Sequence, residues 1–202
     1  MRFVSLCLIA LSCLAVSCSG CAATASNEHR THHGSETSQG FVHPGLLHTD
    51  SDFTRMRTAV AQQRQPWMQD WQLLIANRHA SLDWKPNAQP IVYRGFDHVH
   101  HENYGALFND AAAAYAVGLR WKVSGDDAYA DKAVAILNAW SGSLTAVEGS
   151  SDRFLASGIY GYQLANAAEI LRGYSKWQPA DFHRFQAMML NVFYPMNHDF
   201  LT

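Results

Sequence analysis

The chain has 202 residues, with 15 lysines and arginines against 17 aspartates and glutamates, and its formal net charge is −2 at pH 7. Because the charges nearly balance, the chain carries no general basic field, and we expect no nucleic-acid partner. The four cysteines all lie in the first 25 residues, at Cys7, Cys13, Cys18 and Cys21. The remainder therefore offers no disulfide framework, cysteine metal site or thiol nucleophile.

The first predicted element is a secretory signal peptide at residues 1–25. Arg2 precedes an apolar run, and small residues follow it as far as Ala25, which is the order of regions in such a signal. Ala15-Val16-Ser17-Cys18 also resembles a lipobox, in which cleavage before Cys18 leaves a lipid anchor. We favour cleavage near Ala25, because Ala15 replaces the usual leucine. Both routes predict a periplasmic or secreted protein.

Residues 26–40 are polar and are predicted to be a flexible tether that buries nothing. Residues 41–202 are numerous enough for one domain with a hydrophobic core. No later stretch approaches the ~20 apolar residues of a transmembrane helix, so none is predicted.

Helical signals begin at the cap candidates Thr49–Asp52, which predict a helix as far as Gln63. Pro66 can open a second helix. Residues 77–101 break the helical spacing with prolines and a glycine, and they are predicted to form a long loop in which only Ile91-Val92-Tyr93 could be extended.

Four longer helices follow, because apolar residues recur at intervals of three and four. The predicted ranges are 103–123, 126–141, 152–173 and 179–195. Long helices joined by short turns indicate antiparallel hairpins, and strand-type alternation is absent. We therefore predict an all-α fold, an incomplete (α/α) toroid of antiparallel helical hairpins.

Several stretches share their order and spacing with one known family. They are His43-Pro44-Gly45-Leu46-Leu47-His48-Thr49, Pro66-Trp67, Asn109-Asp110-Ala111-Ala112-Ala113-Ala114-Tyr115, Tyr129-Ala130-Asp131-Lys132-Ala133, Leu137-Asn138-Ala139-Trp140, Asp152-Arg153-Phe154, Tyr160-Gly161-Tyr162-Gln163 and Ala167-Ala168-Glu169. Through them, residues 41–202 resemble the alginate-lyase family of (α/α) toroid proteins. Members of that family are commonly longer, so we expect residues 41–202 to be an alginate-lyase-like domain truncated at its C-terminus.

The resemblance implies an exported polysaccharide lyase that cleaves alginate or a related polyuronate by β-elimination, without a cofactor. A base removes the C5 proton beside the carboxylate while the C4 glycosidic oxygen leaves. Hydrogen-bond donors must neutralise that carboxylate. Asn197 and His198 resemble the Asn-His pair that serves the family in neutralisation and proton removal. The expected partner is an anionic polysaccharide, and a monomer is expected.

Six further residues are candidates for contact with the substrate, as cation, hydrogen-bonding group or stacking platform. They are Arg94, Asn109, Arg153, Tyr160, Gln163 and Trp84. Arg153, Tyr160 and Gln163 fall on neighbouring turns of one predicted helix. Structural roles remain open for several of the six: Arg153 could pair with Asp152, Tyr160 could belong to the core, and Asn109 could bond a neighbouring helix.

Metal ligands cluster only at Asp97–Glu102, where His98 and His100 would point the same way in an extended chain. No spaced third ligand accompanies them, so we predict a polar loop and no metal site.

Two other functions remain open. An inverting glycoside hydrolase on a helical toroid requires two carboxylates flanking the sugar bond, whereas the acids here lie mostly at helix starts. A non-catalytic carbohydrate-binding helical protein with a degenerate cleft is the other alternative.

Overall fold

Helices make up most of the computed structural model, which describes residues 40–202. The α-helices are α1 (Asp50–Ala61), α2 (Trp67–Ala76), α3 (Tyr104–Ser124), α4 (Asp127–Ser141), α5 (Arg153–Leu155), α6 (Tyr162–Leu171), α7 (Pro179–Met188) and α8 (Tyr194–Leu201). The all-α character of the prediction is confirmed. The predicted signal peptide and almost all of the predicted tether lie outside the described residues.

The predicted caps form where the sequence places them. The Thr49 hydroxyl accepts from the Asp52 amide at 3.3 Å, and the Asp52 carboxylate accepts from the Thr49 amide at 2.9 Å. This reciprocal pair closes the first turn of α1. Asp126 caps α4 by accepting from the amide of Ala128 at 3.0 Å.

Helix α3 is the centre of the core and packs against both α4 and α6. Its alanines at 111, 113 and 114 are fully buried, and their small side chains let the neighbouring helices approach closely. Helix α7 packs against α4. Helices α6 and α7 therefore pack against the α3–α4 hairpin, α6 against α3 and α7 against α4.

A buried carboxylate connects the loop after α2 to this core. Asp110 of α3 is 1% exposed. It accepts hydrogen bonds from the indoles of Trp84 and Trp140, each at 2.8 Å, and from the amide of Asn87 at 2.7 Å. These three N–H donors satisfy carboxyl oxygens that would otherwise be costly to bury.

The segment before α1, which we call the strap (residues 43–48), is bonded to α6 and α3. The Glu169 carboxylate accepts from the Gly45 amide at 2.8 Å and pairs with His43 at 2.5 Å. His48 Nε2 lies 2.6 Å from the hydroxyl oxygen of Tyr115. The strap is thus held by side chains from two core helices.

Two short strands form a parallel pair, β1 (Ile91–Arg94) with β2 (Ala146–Gly149), in the register Ile91 to Ala146. The sequence indicated only a possible extended run at 91–93 and no partner for it. Four residues are too few to show strand periodicity, so β2 could not be recognised. Gly149 has φ +114°, and a Cβ atom there would overlap the Arg94 carbonyl oxygen.

The prediction that the last helix stops at Pro195 is wrong. The chain runs from α7 through a π-helical turn, Met189–Phe193, into α8 without leaving helical geometry. Proline lacks an N–H, and its ring clashes with the carbonyl four residues earlier in a regular α-helix. Pro195 follows the π-helical turn and occupies the first turn of α8, where neither restriction applies in full.

Within residues 40–202, no helix combines the length and the apolar character needed to cross a membrane.

Candidate functional site

Two π-helical turns pack against each other and bring α5 beside α8. One is Ala156–Gly161, between α5 and α6, and the other is Met189–Phe193. A Cβ atom at Gly161 would lie 2.8 Å from Cδ1 of Phe193. Glycine at position 161 therefore permits this close approach. Turns of this type are frequent at functional sites, because they redirect side chains within a helix.

A fully buried hydroxyl joins the first π-helical turn to α8. Ser157 Oγ donates to Asn197 Oδ1 at 2.9 Å and lies 3.1 Å from the carbonyl oxygen of Phe193. The oxygen of the Asn197 amide accepts this hydrogen bond, and its Nδ2 group carries two N–H donors. That group has no hydrogen-bond partner among the described residues.

Asn197 lines an open cleft of about 590 Å³, which we call the Asn197 cleft. One wall comes from the segment around α5 and the other from α8; the lining residues are Ser151, Asp152, Phe154, Leu155, Gly158 and Ile159 on the first wall and Asn197, Phe200 and Leu201 on the second. The rings of Phe154 and Phe200 lie 5.5 Å apart across it. The cleft therefore combines an apolar floor with an exposed amide donor.

His198 and Arg153 lie beside residues of the Asn197 cleft and are not part of its lining. His198 is exposed, and its Nδ1 is 3.9 Å from Asp199 Oδ1. Arg153 is also exposed, with its guanidinium 4.9 Å from the ring centre of Phe154. It makes no ion pair within residues 40–202. Its cation is thus available to an external anion.

Arg94 and Tyr160 form a second polar group, at the end of β1. Arg94 Nη1 donates to the Tyr160 hydroxyl oxygen at 2.6 Å, and its guanidinium lies 5.0 Å from the ring centre of Tyr104. Burial raises the pKa of Tyr160, and the charge of Arg94 opposes this shift only in part. The phenol therefore stays protonated at neutral pH. Tyr160 shares its π-helical turn with Ser157.

Gln163 lies one helical turn beyond Tyr160 and lines a separate pocket of about 280 Å³, which we call the Gln163 pocket. Its other lining residues come from the strap, α3 and α6: Leu47, Ala112, Tyr115, Tyr162 and Asn166. Gln163 Oε1 is buried and has no hydrogen-bond partner among the described residues.

Asn109 and Trp84 lie elsewhere, with their polar atoms engaged inside the domain. The Asn109 amide donates to the carbonyl of Gly105 at 2.6 Å, and its oxygen lies 2.9 Å from His79 Nε2. The Trp84 indole donates to Asp110. Neither residue lines the Asn197 cleft.

The histidine-rich loop is organised around Asp97. Its carboxylate accepts from the amides of Val99 and His100 and from the His100 ring at 2.8 Å, and these bonds hold the pKa of Asp97 well below its usual range. Among residues 40–202, no three acidic, histidine or cysteine side chains are grouped closely enough to hold a metal ion.

Ser157 is the residue of this site that the sequence reading missed. It lies in Ala-Ser-Gly within a predicted helix, where a serine has no distinctive periodicity. Its partner Asn197 is 40 residues away in the chain. Only Gly161 could have indicated close packing along this stretch.

The chain matches one known protein family. The model of the family described as Alginate lyase matches residues 55–198, which include every candidate residue named above. The match covers most of the chain, and the protein belongs to the alginate lyase family. This confirms the predicted resemblance and indicates a lyase that acts on a polysaccharide. No curated protein and no solved structure matches the chain.

Proposed function

We propose that the protein is an exported lyase that cleaves alginate or a related polyuronate by β-elimination, on an incomplete (α/α) toroid. The family match supports the reaction class, and the signal-like first 25 residues support export. The stacking of α6–α7 on α3–α4 supports the toroid. The orientation of the Asn197 amide is the observation on which the proposal rests most directly.

In the proposed reaction, Asn197 Nδ2 donates to the uronate carboxylate and withdraws its negative charge. This makes the neighbouring C5 proton easier to remove, because the developing negative charge is stabilised by a fixed donor. The imidazole of His198 accepts that proton. The electron pair of the broken C5–H bond forms the C4–C5 double bond as the C4–O bond breaks, and the leaving glycosidic oxygen takes a proton from water. Arg94 and Arg153 supply cations for carboxylates along the polymer.

A hydrolytic mechanism has less support from the same cleft. An inverting glycosidase needs two carboxyl groups on opposite sides of the sugar bond. Among the described residues that line the Asn197 cleft, only Asp152 carries a carboxylate. A non-catalytic binding protein would produce no unsaturated sugar in the assay described next, and this distinguishes it from a lyase.

The test is to incubate the purified protein with mannuronate, guluronate and glucuronate polymers and record far-ultraviolet absorbance. Elimination produces an unsaturated, absorbing sugar, whereas hydrolysis produces only reducing ends. Asn197→Ala should lower the elimination rate by roughly 10²–10³, the usual effect of losing one such donor. Asn191→Ala is the matched control, because Asn191 is an exposed asparagine just upstream of α8. Absence of unsaturated product from all three polymers refutes the proposal.

A further inference from the structure

A further group of charged side chains lines an open groove formed by the loop after α2. The groove has a volume of about 400 Å³, and we call it the Arg78 groove; its lining residues are Arg78, Ser81, Asp83, Trp84 and Lys85. None of them lines the Asn197 cleft. Among residues 40–202, its three charged side chains form no ion pair. Two cations and one carboxylate are therefore available to an external molecule.

Two consecutive residues of α3 fix the side chains of the groove. Arg78 Nη2 donates to Asn109 Oδ1 at 3.1 Å, and the Trp84 indole donates to Asp110 at 2.8 Å. The Arg78 guanidinium also lies 5.5 Å from the ring centre of Trp84. Because Asp110 is buried, Trp84 is attached to the core, and its ring supports the cation from one side. The N–H groups of Arg78 that Asn109 does not use are thus held at the groove.

The charges of the groove suit a uronate ring better than a simple anion. A uronate carries one carboxylate and several hydroxyl groups on the same ring. The Arg78 guanidinium can bind the carboxylate through two N–H groups, and the Lys85 ammonium supplies a second positive charge. The Asp83 carboxylate can accept hydrogen bonds from ring hydroxyls, whereas it would only repel a ligand that carries nothing but negative charge.

The Arg78 groove contacts the same part of α3 as the Arg94–Tyr160 pair. The Arg94 guanidinium lies 5.0 Å from the ring centre of Tyr104, the first residue of α3. Arg78 bonds to Asn109, five residues later in the same helix. Five residues correspond to about 7.5 Å along a helix axis. A polymer that contacts both arginines would therefore cross the first two turns of α3.

We propose that the Arg78 groove is an accessory binding site for one uronate unit of the polymer. Arg78 and Lys85 bind its carboxylate, and Asp83 accepts hydrogen bonds from its ring hydroxyls. The inference rests on the proposed function, because that function supplies the acidic polymer. Since the groove is separate from Asn197, it holds a sugar that is not being cleaved. It should therefore affect binding of the polymer and not the chemical step.

Arg78→Gln and Lys85→Gln test the accessory site, because each removes one cation and keeps a polar side chain. Affinity for mannuronate and guluronate oligosaccharides is measured by calorimetry in an Asn197→Ala background, which slows turnover. We expect roughly tenfold weaker binding for Arg78→Gln and roughly threefold for Lys85→Gln. Both deficits should shrink at high ionic strength, where charges are screened. Arg64→Gln, at an exposed arginine between α1 and α2, is the matched control and should bind as tightly as the background protein.

Asp83→Asn distinguishes a uronate ring from a simple anion in the groove. A ring bound through its hydroxyls should bind less tightly to this variant, because an amide oxygen is a weaker acceptor than a carboxylate. Unchanged or tighter binding would show that Asp83 makes no favourable contact with the ligand, and it would overturn the assignment. With Asn197 intact, all three variants should raise KM in the elimination assay and leave kcat unchanged.

The outcomes separate the accessory site from the lyase. Unchanged affinity in Lys85→Gln overturns the accessory site even if Arg78→Gln binds weakly, because Arg78 also bonds to Asn109 and its loss disturbs the loop. If the wild type eliminates while both variants bind as tightly as Arg64→Gln, the accessory site is wrong and the lyase stands. If both variants lose affinity but the wild type forms no unsaturated sugar, the accessory site stands and the lyase is wrong.

Discussion

At the scale of single residues, the orientation of one amide depends on one buried hydroxyl. Ser157 is fully buried, while Asn197 is exposed at the cleft. Because Ser157 fixes the oxygen of the amide, the donating nitrogen takes the remaining direction. Asn197 can then meet a carboxylate without first being reoriented, which is how a fixed donor contributes to catalysis.

Ser157→Ala should therefore lower the elimination rate, but by less than Asn197→Ala, since the amide remains and only its orientation is lost. The decisive measurement is the double variant. If Ser157 acts through Asn197, adding Ser157→Ala to Asn197→Ala should leave the residual rate unchanged. Ser157→Cys, with a weak S–H donor of similar size, should recover part of the rate. Additive losses would indicate a general structural role for Ser157.

At the scale of elements, the two π-helical turns can pack together because residue 161 is a glycine and has no side chain. Gly161→Ala places a methyl group 2.8 Å from the Phe193 ring and should force the turns apart. Overpacking of this kind typically costs about 1–3 kcal/mol. Thermal or denaturant unfolding measures the loss.

Gly158→Ala is the matched control for that variant, because Gly158 lies in the same turn and a Cβ atom there meets no atom within 4 Å. It should leave stability unchanged or slightly raise it. Equal destabilisation by both substitutions would show that helical geometry, rather than contact with Phe193, requires the glycines.

Because of His48 in the strap, we expect the stability of the fold to decrease at mildly acidic pH. Burial lowers the pKa of His48 below its ordinary value of 6.5, and the negative charge of Asp52 only partly offsets this. The folded state thus binds fewer protons at His48 than the unfolded chain does. The stability contributed by the neutral ring is fully present above pH 6.5 and falls as the pH decreases toward the lowered value.

Urea unfolding from neutral to mildly acidic pH measures this loss. His48→Gln, which can still hydrogen bond to Tyr115, should flatten the pH profile in that window. His183→Gln, at an exposed histidine on α7, should leave the profile as in the wild type. The same slope in all three proteins would assign the effect to other groups.

At the scale of the whole molecule, Asp110 of α3 joins three parts of the chain, because its carboxyl oxygens accept hydrogen bonds from N–H groups in the loop after α2 and on α4. Asp110→Ala leaves two indoles and one amide without their acceptor, and each unsatisfied buried group costs about 1–3 kcal/mol. We expect a loss of roughly 3 kcal/mol or more in unfolding free energy. Asp83→Ala, in the same loop but exposed, should change it by less than about 0.5 kcal/mol.

The positions of several helices could be predicted from local sequence features. Thr49 and Asp126 cap helices at the expected positions, and the ranges of α3 and α4 agree with their apolar spacing within a few residues. These features are local, because a cap or an amphipathic stripe depends on residues within one or two turns of each other. The family resemblance was also readable, since it depends on the order of such segments.

Contacts between distant residues were decided only in three dimensions. The parallel pairing of β1 with β2, the passage of the last helix through Pro195, and the bond from Ser157 to Asn197 each join or depend on segments that no periodicity links. Asn109 and Gln163 were both candidates for contact with the substrate. Packing engages the amide of Asn109 and leaves the oxygen of Gln163 unsatisfied, because hydrogen bonding depends on which neighbours folding brings within about 3 Å.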